Sequence, residues 1–170
     1  MENIEKIKSY FHSFTKGDIE HLIECYHSQI RLKDPIFGSL TGKDVSDMLR
    51  MIIDVSQGNY KISFSNIYVD KVYGAASWRA EYIYAPTGRK IVTDVTSEFQ
   101  FQNGKIFRQT NKFDLWLWFK MAYGLKGYLI GWASFIRTNL HKRAYNSIRN
   151  HILHLHEIPE YLIPDLHAKY

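Results

Sequence analysis

The sequence has a single cysteine, Cys25, among its 170 residues. One cysteine excludes an intrachain disulfide, and no CxxC pair is present to suggest a redox motif. Disulfides accumulate in oxidising compartments, so this usage favours a reducing one. The start of the chain, MENIEKIKSYF, also lacks the charged and apolar regions of a signal peptide. We therefore expect a cytoplasmic protein.

Phosphate-binding and hydrolase motifs are missing as well. The sequence contains no P-loop, no GxGxxG and no GxSxG, which argues against nucleotide binding and serine-hydrolase chemistry. The formal net charge is +5, but residues 1–114 are almost balanced, with 15 basic and 14 acidic side chains. Residues 115–170 carry seven basic and three acidic side chains. This excess is too mild for the dense basic stripe of a nucleic-acid binder, so we expect no nucleic-acid partner.

A long uninterrupted apolar run is also lacking. The most apolar stretch, residues 115–136, contains two lysines and three glycines, which argues against a membrane-spanning helix. It is followed by a predicted basic amphipathic helix over 135–153. The stretch is rich in large apolar side chains: Trp116, Trp118, Phe119, Tyr123, Tyr128, Leu129, Trp132 and Phe135. We favour packing of these side chains on the sheet or on a dimer partner over peripheral contact with an anionic membrane.

Helical periodicity dominates the first third of the chain. Apolar residues at helical spacing predict a helix over 2–16, which Gly17 ends. Asp18 suits the N-cap of a second helix, whose apolar face would run from Ile19 to Tyr26. A third helix is predicted over 43–56.

The apolar period then changes from helical spacing to two. A strand of about five residues is predicted around Ile30 and Leu32. Four long strands follow at 60–69, 75–85, 89–101 and 105–114, separated in part by the turn signals PTG and NG. This order predicts an α+β fold in which three N-terminal helices pack on one face of a curved antiparallel sheet and enclose a pocket. We assign residues 1–115 to this domain and 116–170 to a helical C-terminal extension packed on it.

Asp34 is the most informative single residue. It follows the predicted strand with the same parity as Ile30 and Leu32, so we expect it on the inner face. Burial there would raise its pKa above about 3.9 and suit a base that removes a proton beside a carbonyl. Asp-Pro is also common turn chemistry, in which the carboxylate bonds a nearby backbone N–H. The residues alone leave both interpretations open.

Two hydroxyls share the predicted interior with Asp34. Tyr10 lies on the apolar stripe of the first helix, and a buried phenol normally finds a partner for its hydroxyl. Ser97 has the strand parity of Val95 and Phe99, so it also points to the apolar face.

Several motifs in this order resemble a known superfamily. They are YFHSFTKGD at 10–18, DPIFG at 34–38 with Gly42, PTGR at 86–89 and FQFQNGKI at 99–106. Over residues 4–115 they resemble the nuclear transport factor 2-like superfamily, in particular its SnoaL-like and ketosteroid-isomerase-like branches. The resemblance implies a cone-shaped fold with an interior pocket, usually in a homodimer.

The resemblance also implies roles for individual residues. Asp34 would be a general base, Tyr10 an oxyanion donor and Tyr26 a support for Tyr10, while Ser97 stands where the family has a protonated aspartate. The implied function is a cofactor-independent isomerase or cyclase acting on a small hydrophobic molecule, and the alternative is a non-catalytic binding protein. Candidate ligand-binding residues are Tyr26, Ser97, Phe37, Trp78, Phe99 and Asn111.

A further alternative comes from epoxide hydrolases that share this fold. Their catalytic set would correspond to Glu81, Arg79 and Asn111, but an asparagine cannot replace the carboxylate. We expect Arg79 and Glu81, two apart on one strand, to form an ion pair.

Polar residues near the C-terminal third have simpler interpretations. Asp114 is predicted to cap a helix that begins near Leu115. His151, His154 and His156 have a spacing that suits a metal, but no cysteine or paired carboxylate completes a site, and we expect no metal.

Overall fold

The computed structural model of the protein describes residues 2–124 and 134–155. In these ranges five helices and six strands follow one another along the chain. They are α1 (Glu2–Lys16), α2 (Ile19–Glu24), β1 (Tyr26–Asp34), β2 (Gly38–Thr41), α3 (Lys43–Ser56), β3 (Tyr60–Val69), β4 (Tyr73–Tyr84), β5 (Arg89–Gln102), β6 (Lys105–Lys112), α4 (Leu115–Tyr123) and α5 (Ser134–Leu155).

Helix α1 begins and ends, and helix α2 begins, where the sequence predicts. Helix α1 buries one apolar stripe that includes Tyr10 and Phe14, and Gly17 follows it with a positive φ of 69°. The Asp18 side chain accepts a hydrogen bond from the His21 backbone N–H at 3.3 Å, which confirms its role as the N-cap of α2.

The six strands form one sheet in the order β2-β1-β6-β5-β4-β3. This confirms the α+β fold with a curved, open sheet and helices packed on it. Strands β3 to β6 form an antiparallel meander, and β1 and β2 form an antiparallel hairpin. The pairing of β1 with β6 is parallel and is interrupted between Tyr26 and Arg31. The last strand of the meander, β6, thus lies next to the first strand of the chain, β1.

Two local predictions around β1 are wrong. Tyr26 begins β1 rather than ending the face of a helix, and β1 has nine residues rather than about five. The predicted loop after Asp34 contains β2, whose four residues pair with β1 from Asp34 opposite Gly38 to Arg31 opposite Thr41. Such a short strand has too little alternation to be recognised without its partner.

The main core lies between the inner face of the sheet and helices α1 and α3. Its buried members include Ile7, Phe11, Leu49 and Phe99. Helix α1 approaches β4 so closely that a Cβ at Gly74 would lie 2.8 Å from the Ile7 Cδ1 atom. Any larger residue at this position would therefore force the Ile7 side chain to shift.

The C-terminal helices complete a second, smaller core. The Asp114 side chain accepts from the Leu117 backbone N–H at 2.9 Å, which confirms the predicted cap of α4. Trp118 and Phe119 of α4 are buried with Ile91 of β5 and Leu140 of α5. The tail residues Tyr128, Leu129 and Trp132, and the side chain of Phe135, lie outside what the structure describes.

Helix α5 also reaches the main core. Ile148 is 2% exposed and belongs to the main apolar cluster, and the His151 Nε2 atom lies 2.9 Å from the Asp54 Oδ2 atom of α3. Among the described helices, none is long and apolar enough to cross a membrane.

Candidate functional site

Asp34 lies at the end of β1 and uses both carboxylate oxygens. Its Oδ1 atom accepts from the backbone N–H groups of Ile36 and Phe37, at 2.8 and 3.2 Å. This is the turn chemistry that the Asp-Pro step predicts. Its Oδ2 atom accepts from Asn111 Nδ2 at 2.9 Å, across the interface of β1 and β6. Asp34 thus makes the predicted turn bonds through Oδ1 and joins the inner face of the sheet through Oδ2, while its role as a base stays a prediction.

Asn111 is held in one orientation by its other neighbours. Its Oδ1 atom accepts from the Ser97 hydroxyl at 2.7 Å and from Gln109 Nε2 at 2.9 Å. Two donors on the oxygen leave the amide N–H₂ to face Asp34. Ser97 in turn accepts from the indole N–H of Trp78 at 2.8 Å. A continuous chain of hydrogen bonds thus runs from β4 through β5 and β6 to Asp34.

A second arm of this network reaches the tyrosines predicted from the sequence. The Tyr26 hydroxyl donates to Gln109 Oε1 at 2.6 Å, and Gln109 Nε2 lies 3.4 Å from the Tyr10 hydroxyl. Gln109 is only 1% exposed and was not among the predicted site residues. The signal for it was its position two residues before Asn111, on the same face of β6.

The site has a sealed part and a part that solvent reaches. The sealed residues are buried: Tyr10, Tyr26, Ser97, Phe99 and Gln109. The accessible residues keep partial exposure: Asp34, Phe37, Trp78, Tyr82 and Asn111. A ligand that approaches Asp34 from solvent would therefore contact the accessible residues before the sealed ones.

Burial controls the ionisation of the site. Desolvation raises the pKa of Asp34, and the hydrogen bonds from Asn111, Ile36 and Phe37 oppose that rise. The charge of nearby His141 opposes it further. Burial likewise raises the pKa of Tyr10, so this phenol stays protonated.

The C-terminal helices contribute side chains that sequence reasoning missed. His141 Nε2 of α5 lies 3.1 Å from the Pro35 carbonyl oxygen, so this nitrogen carries the proton and donates. The indole N–H of Trp118, on α4, donates to the Tyr82 hydroxyl at 2.8 Å. These residues lie more than thirty positions from their partners, and no local pattern in the sequence links them.

Arg79 and Glu81 do not lie at this site. They are on the outer face of the sheet, whereas Asn111 is on the inner face. The expected ion pair between them is wrong. Arg79 forms two hydrogen bonds to Asp94, at 2.7 and 2.9 Å, and Glu81 pairs with Lys90 at 2.9 Å. Cross-strand partners on neighbouring β5 outcompete a pairing along one strand. The structure therefore does not assemble the epoxide-hydrolase set.

Two surface cavities lie away from Asp34. One, of about 520 Å³, is lined by residues that include Asn3, Asp70 and Gly104. The other, of about 480 Å³, lies on the outer face of the sheet beside Arg79 and Asp94. Neither touches Asp34, and the enclosed interior pocket stays a prediction.

The C-terminal histidines do not form a metal site in the part of the chain that the structure describes. No group of three or more histidine, cysteine, aspartate or glutamate side chains is placed there to hold a metal. His151 instead pairs with Asp54, and His156 lies outside the described residues.

Comparison with known proteins places this geometry in a family. A sequence model of the SnoaL-like domain matches residues 7–109, which include every strand except the last three residues of β6. Helices α4 and α5 lie beyond the match. No curated protein matches the sequence.

Solved structures share the fold at low sequence identity. TerC, co-crystallised with polyporic acid, is 16% identical with a TM-score of 0.63, and the match covers 72% of this chain and 98% of TerC. Bal32a, from a soil-derived mobile gene cassette, is 18% identical with a TM-score of 0.64, covering 71% and 95%. A protein from Jannaschia Sp. CCS1, described as a SnoaL-like polyketide cyclase, is 11% identical with a TM-score of 0.61, covering 72% and 92%.

Proposed function

Because this chain belongs to the SnoaL-like domain family, we propose that it is a cofactor-independent enzyme acting on a small hydrophobic carbonyl compound, with Asp34 as general base. The reaction would be an isomerisation or a ring closure that begins with removal of a proton beside the carbonyl. The observation that carries the proposal is the position of Asp34: an ionisable carboxyl, fixed by three donors, at the accessible end of a buried polar network.

The carboxylate has the properties that a base of this kind needs. Desolvation raises its pKa, which makes the ionised form a stronger base near neutral pH. A carboxylate offers roughly four acceptor positions, and three donors occupy them here. The described residues place no donor on the remaining position, on Oδ2, which would take a proton from carbon.

The network behind Asp34 supports this role. Asn111 fixes the rotation of the carboxylate, and the buried Ser97 and Gln109 fix Asn111. Fixed groups need little reorganisation in the transition state. The Tyr10 hydroxyl, in contact with Gln109, is a candidate to stabilise the enolate, as the family resemblance implies.

A second candidate function is ligand binding without catalysis, and the environment of Ser97 favours it. Its hydroxyl donates to Asn111 and accepts from Trp78, so it has no hydrogen left for a substrate oxygen. This position therefore supplies no second oxyanion donor.

Proton exchange at carbon distinguishes the two functions. We would incubate the protein with a panel of hydrophobic cyclic ketones and β-diketones in D₂O and follow the loss of the α-proton signals by NMR. Enzyme chemistry predicts exchange that falls about a hundredfold or more in Asp34→Asn but persists in Glu24→Gln, a change at an exposed carboxylate of α2. Ligand-induced shifts without exchange would support the binding function and contradict the enzyme.

Two predictions about partners accompany this proposal. A homodimer is tested by sedimentation of the purified protein over a range of concentrations. Contact of the C-terminal extension with an anionic membrane, which we do not favour, is tested by flotation with liposomes that contain phosphatidylserine.

A further inference from the structure

Tyr82 faces the interior of the fold from strand β4. It has the parity of Trp78 and Ala80, which point inward, and it lies opposite the fully buried Ile91 of β5. It is packed against both apolar clusters, the main core and the smaller C-terminal core. Its phenol therefore lies where the two cores meet.

In the part of the chain that the structure describes, the Tyr82 hydroxyl accepts a hydrogen bond and donates none. The Trp118 indole donates to the Tyr82 oxygen at 2.8 Å, and an indole N–H cannot accept in return. Within the described residues, no side chain or carbonyl takes the Tyr82 hydroxyl proton. A hydroxyl that already accepts a hydrogen bond is also a stronger donor, because the two bonds polarise each other.

Tyr10, the phenol that the family resemblance implies as a donor, is in a different situation. It is 2% exposed and its ring makes edge contacts with Phe11, Phe14, Tyr26 and Phe99. Gln109 lies against its hydroxyl. A ligand could bond this hydroxyl only by displacing a buried network, whereas Tyr82 keeps partial exposure.

Electrostatics connects Tyr82 to the base. Burial raises the pKa of Tyr82 to about 12, the hydrogen bond from Trp118 opposes this rise, and the charge of Asp34 adds to it. The phenol is therefore protonated at neutral pH and can donate. Packing also brings the two regions together, because Ile36, two residues after Asp34, lies with Tyr82 against the smaller C-terminal core.

On these observations we propose that Tyr82, positioned by Trp118, donates the hydrogen bond that receives the substrate oxyanion. The proposal rests on the function proposed above and identifies its missing donor. Asp34 Oδ2 takes the proton from the carbon beside the carbonyl. The C–H electron pair becomes the new C=C bond, and the carbonyl π pair moves to oxygen, where Tyr82 donates. The proton on Asp34 then returns to carbon or oxygen as the product forms.

This assignment gives the C-terminal extension a part in the chemistry. Trp118 belongs to α4, outside the segment that matches the SnoaL-like domain. It is 2% exposed, and its ring is held at the edge of Phe119 and Tyr84. Trp118 is a positioning residue: it does not touch the substrate but fixes the direction of the Tyr82 hydroxyl.

The test uses 4-nitrophenol, whose phenolate form absorbs visible light, bound to the full-length Asp34→Asn variant. The neutral amide imitates the base after it has taken the proton, and the phenolate imitates the enolate oxygen. We expect Tyr82→Phe to weaken phenolate binding about ten- to a hundredfold, because a hydrogen bond to a charged oxygen is lost. Tyr84→Phe, in the same background, is the matched control and should change it less than about threefold.

Trp118→Phe supplies a second readout. It should weaken phenolate binding but leave binding of anisole, which has no ionisable oxygen, unchanged. Equal losses for both ligands would show a merely structural role and overturn the part given to Trp118. If phenolate binding survives Tyr82→Phe but not Tyr10→Phe, the assignment of Tyr82 is wrong while the proposed function stands. If Asp34→Asn binds no phenolate and the wild type exchanges no ketone α-protons, both the function and this assignment fail.

Discussion

The side-chain amide of Asn111 donates to the carboxylate of Asp34 at 2.9 Å, and this bond joins the last strand of the sheet to the end of the first. Strands β1 and β6 are parallel neighbours, with Lys33 opposite Thr110, so the next residue of each chain segment is Asp34 and Asn111. Seventy-seven positions of sequence separate the two residues. Asp34 therefore both stabilises the turn that follows it and belongs to a buried polar network.

Replacing Asn111 by leucine should raise the pKa of Asp34 further. The amide stabilises the ionised carboxylate, and leucine of similar size removes that donor while desolvation remains. Carboxyl-carbon NMR titration, with Asp34→Asn to assign the signal, measures the change. Asn3→Ala, which removes a distant side-chain amide that bonds the Asp70 carbonyl, should leave the titration of Asp34 unaltered. An unchanged or lower pKa in Asn111→Leu would contradict the proposed role of the amide.

Asp34 should make the protein less stable as the pH rises. Its pKa in the folded state lies above the ordinary value of 3.8, so the folded protein binds this proton more tightly than the unfolded chain does. The free energy of unfolding therefore falls as the pH rises from about 3.8 through the folded-state pKa, and the loss persists at neutral pH.

This loss is measured by urea unfolding of wild type and Asp34→Asn at several pH values between about 4 and 7. The free energy of unfolding of Asp34→Asn, relative to that of the wild type, should increase as the pH rises. This trend is expected whichever of the two proteins is more stable at a given pH. Glu24→Gln serves as a control at an exposed position. A difference that is constant over this range would show that Asp34 has the same pKa in both states.

Removing the cap of α4 should destabilise the C-terminal core. Asp114→Ala removes the acceptor for the Leu117 backbone N–H and should lower the free energy of unfolding by about 1 kcal/mol. Asp114→Asn is the matched control, because asparagine caps a helix about as well as aspartate. Equal losses in the two variants would indicate that the charge, and not the cap, matters.

Gly38 should couple to His141 across the interface of α5 and the turn after Asp34. Gly38 has a φ of 73°, and a Cβ there would lie 3.0 Å from the His141 Nδ1 atom. Gly38→Ala should therefore cost about 1–2 kcal/mol for the backbone alone, with a further loss from the contact. In a His141→Ala background the contact part should disappear and the backbone part should remain. If the losses in the free energy of unfolding are additive in this double-mutant cycle, His141 of α5 does not contact residue 38 in solution.

Part of the site could be predicted because parity along a strand is a local property. The alternation in residues 30–34 predicts Asp34 on the inner face, and the same alternation in β5 predicts Ser97 there; both side chains join the inner network. The predicted ion pair of Arg79 with Glu81 was wrong because its alternative depends on contacts that are not local. Its partner, Asp94, lies on the next strand, and the register that brings them together is set by the whole hairpin.

Local patterns in the sequence were enough to predict the helices and long strands, the caps at Asp18 and Asp114, and the resemblance to a family. These features depend on spacing and on contacts within a few residues, which the order of side chains specifies directly. Tertiary structure alone decided that β2 pairs with β1, that Gln109 links Asn111 to the tyrosines, and that Trp118 bonds Tyr82. Such contacts join residues far apart in the chain, and their geometry exists only once the sheet has curved and the last helices have packed against it.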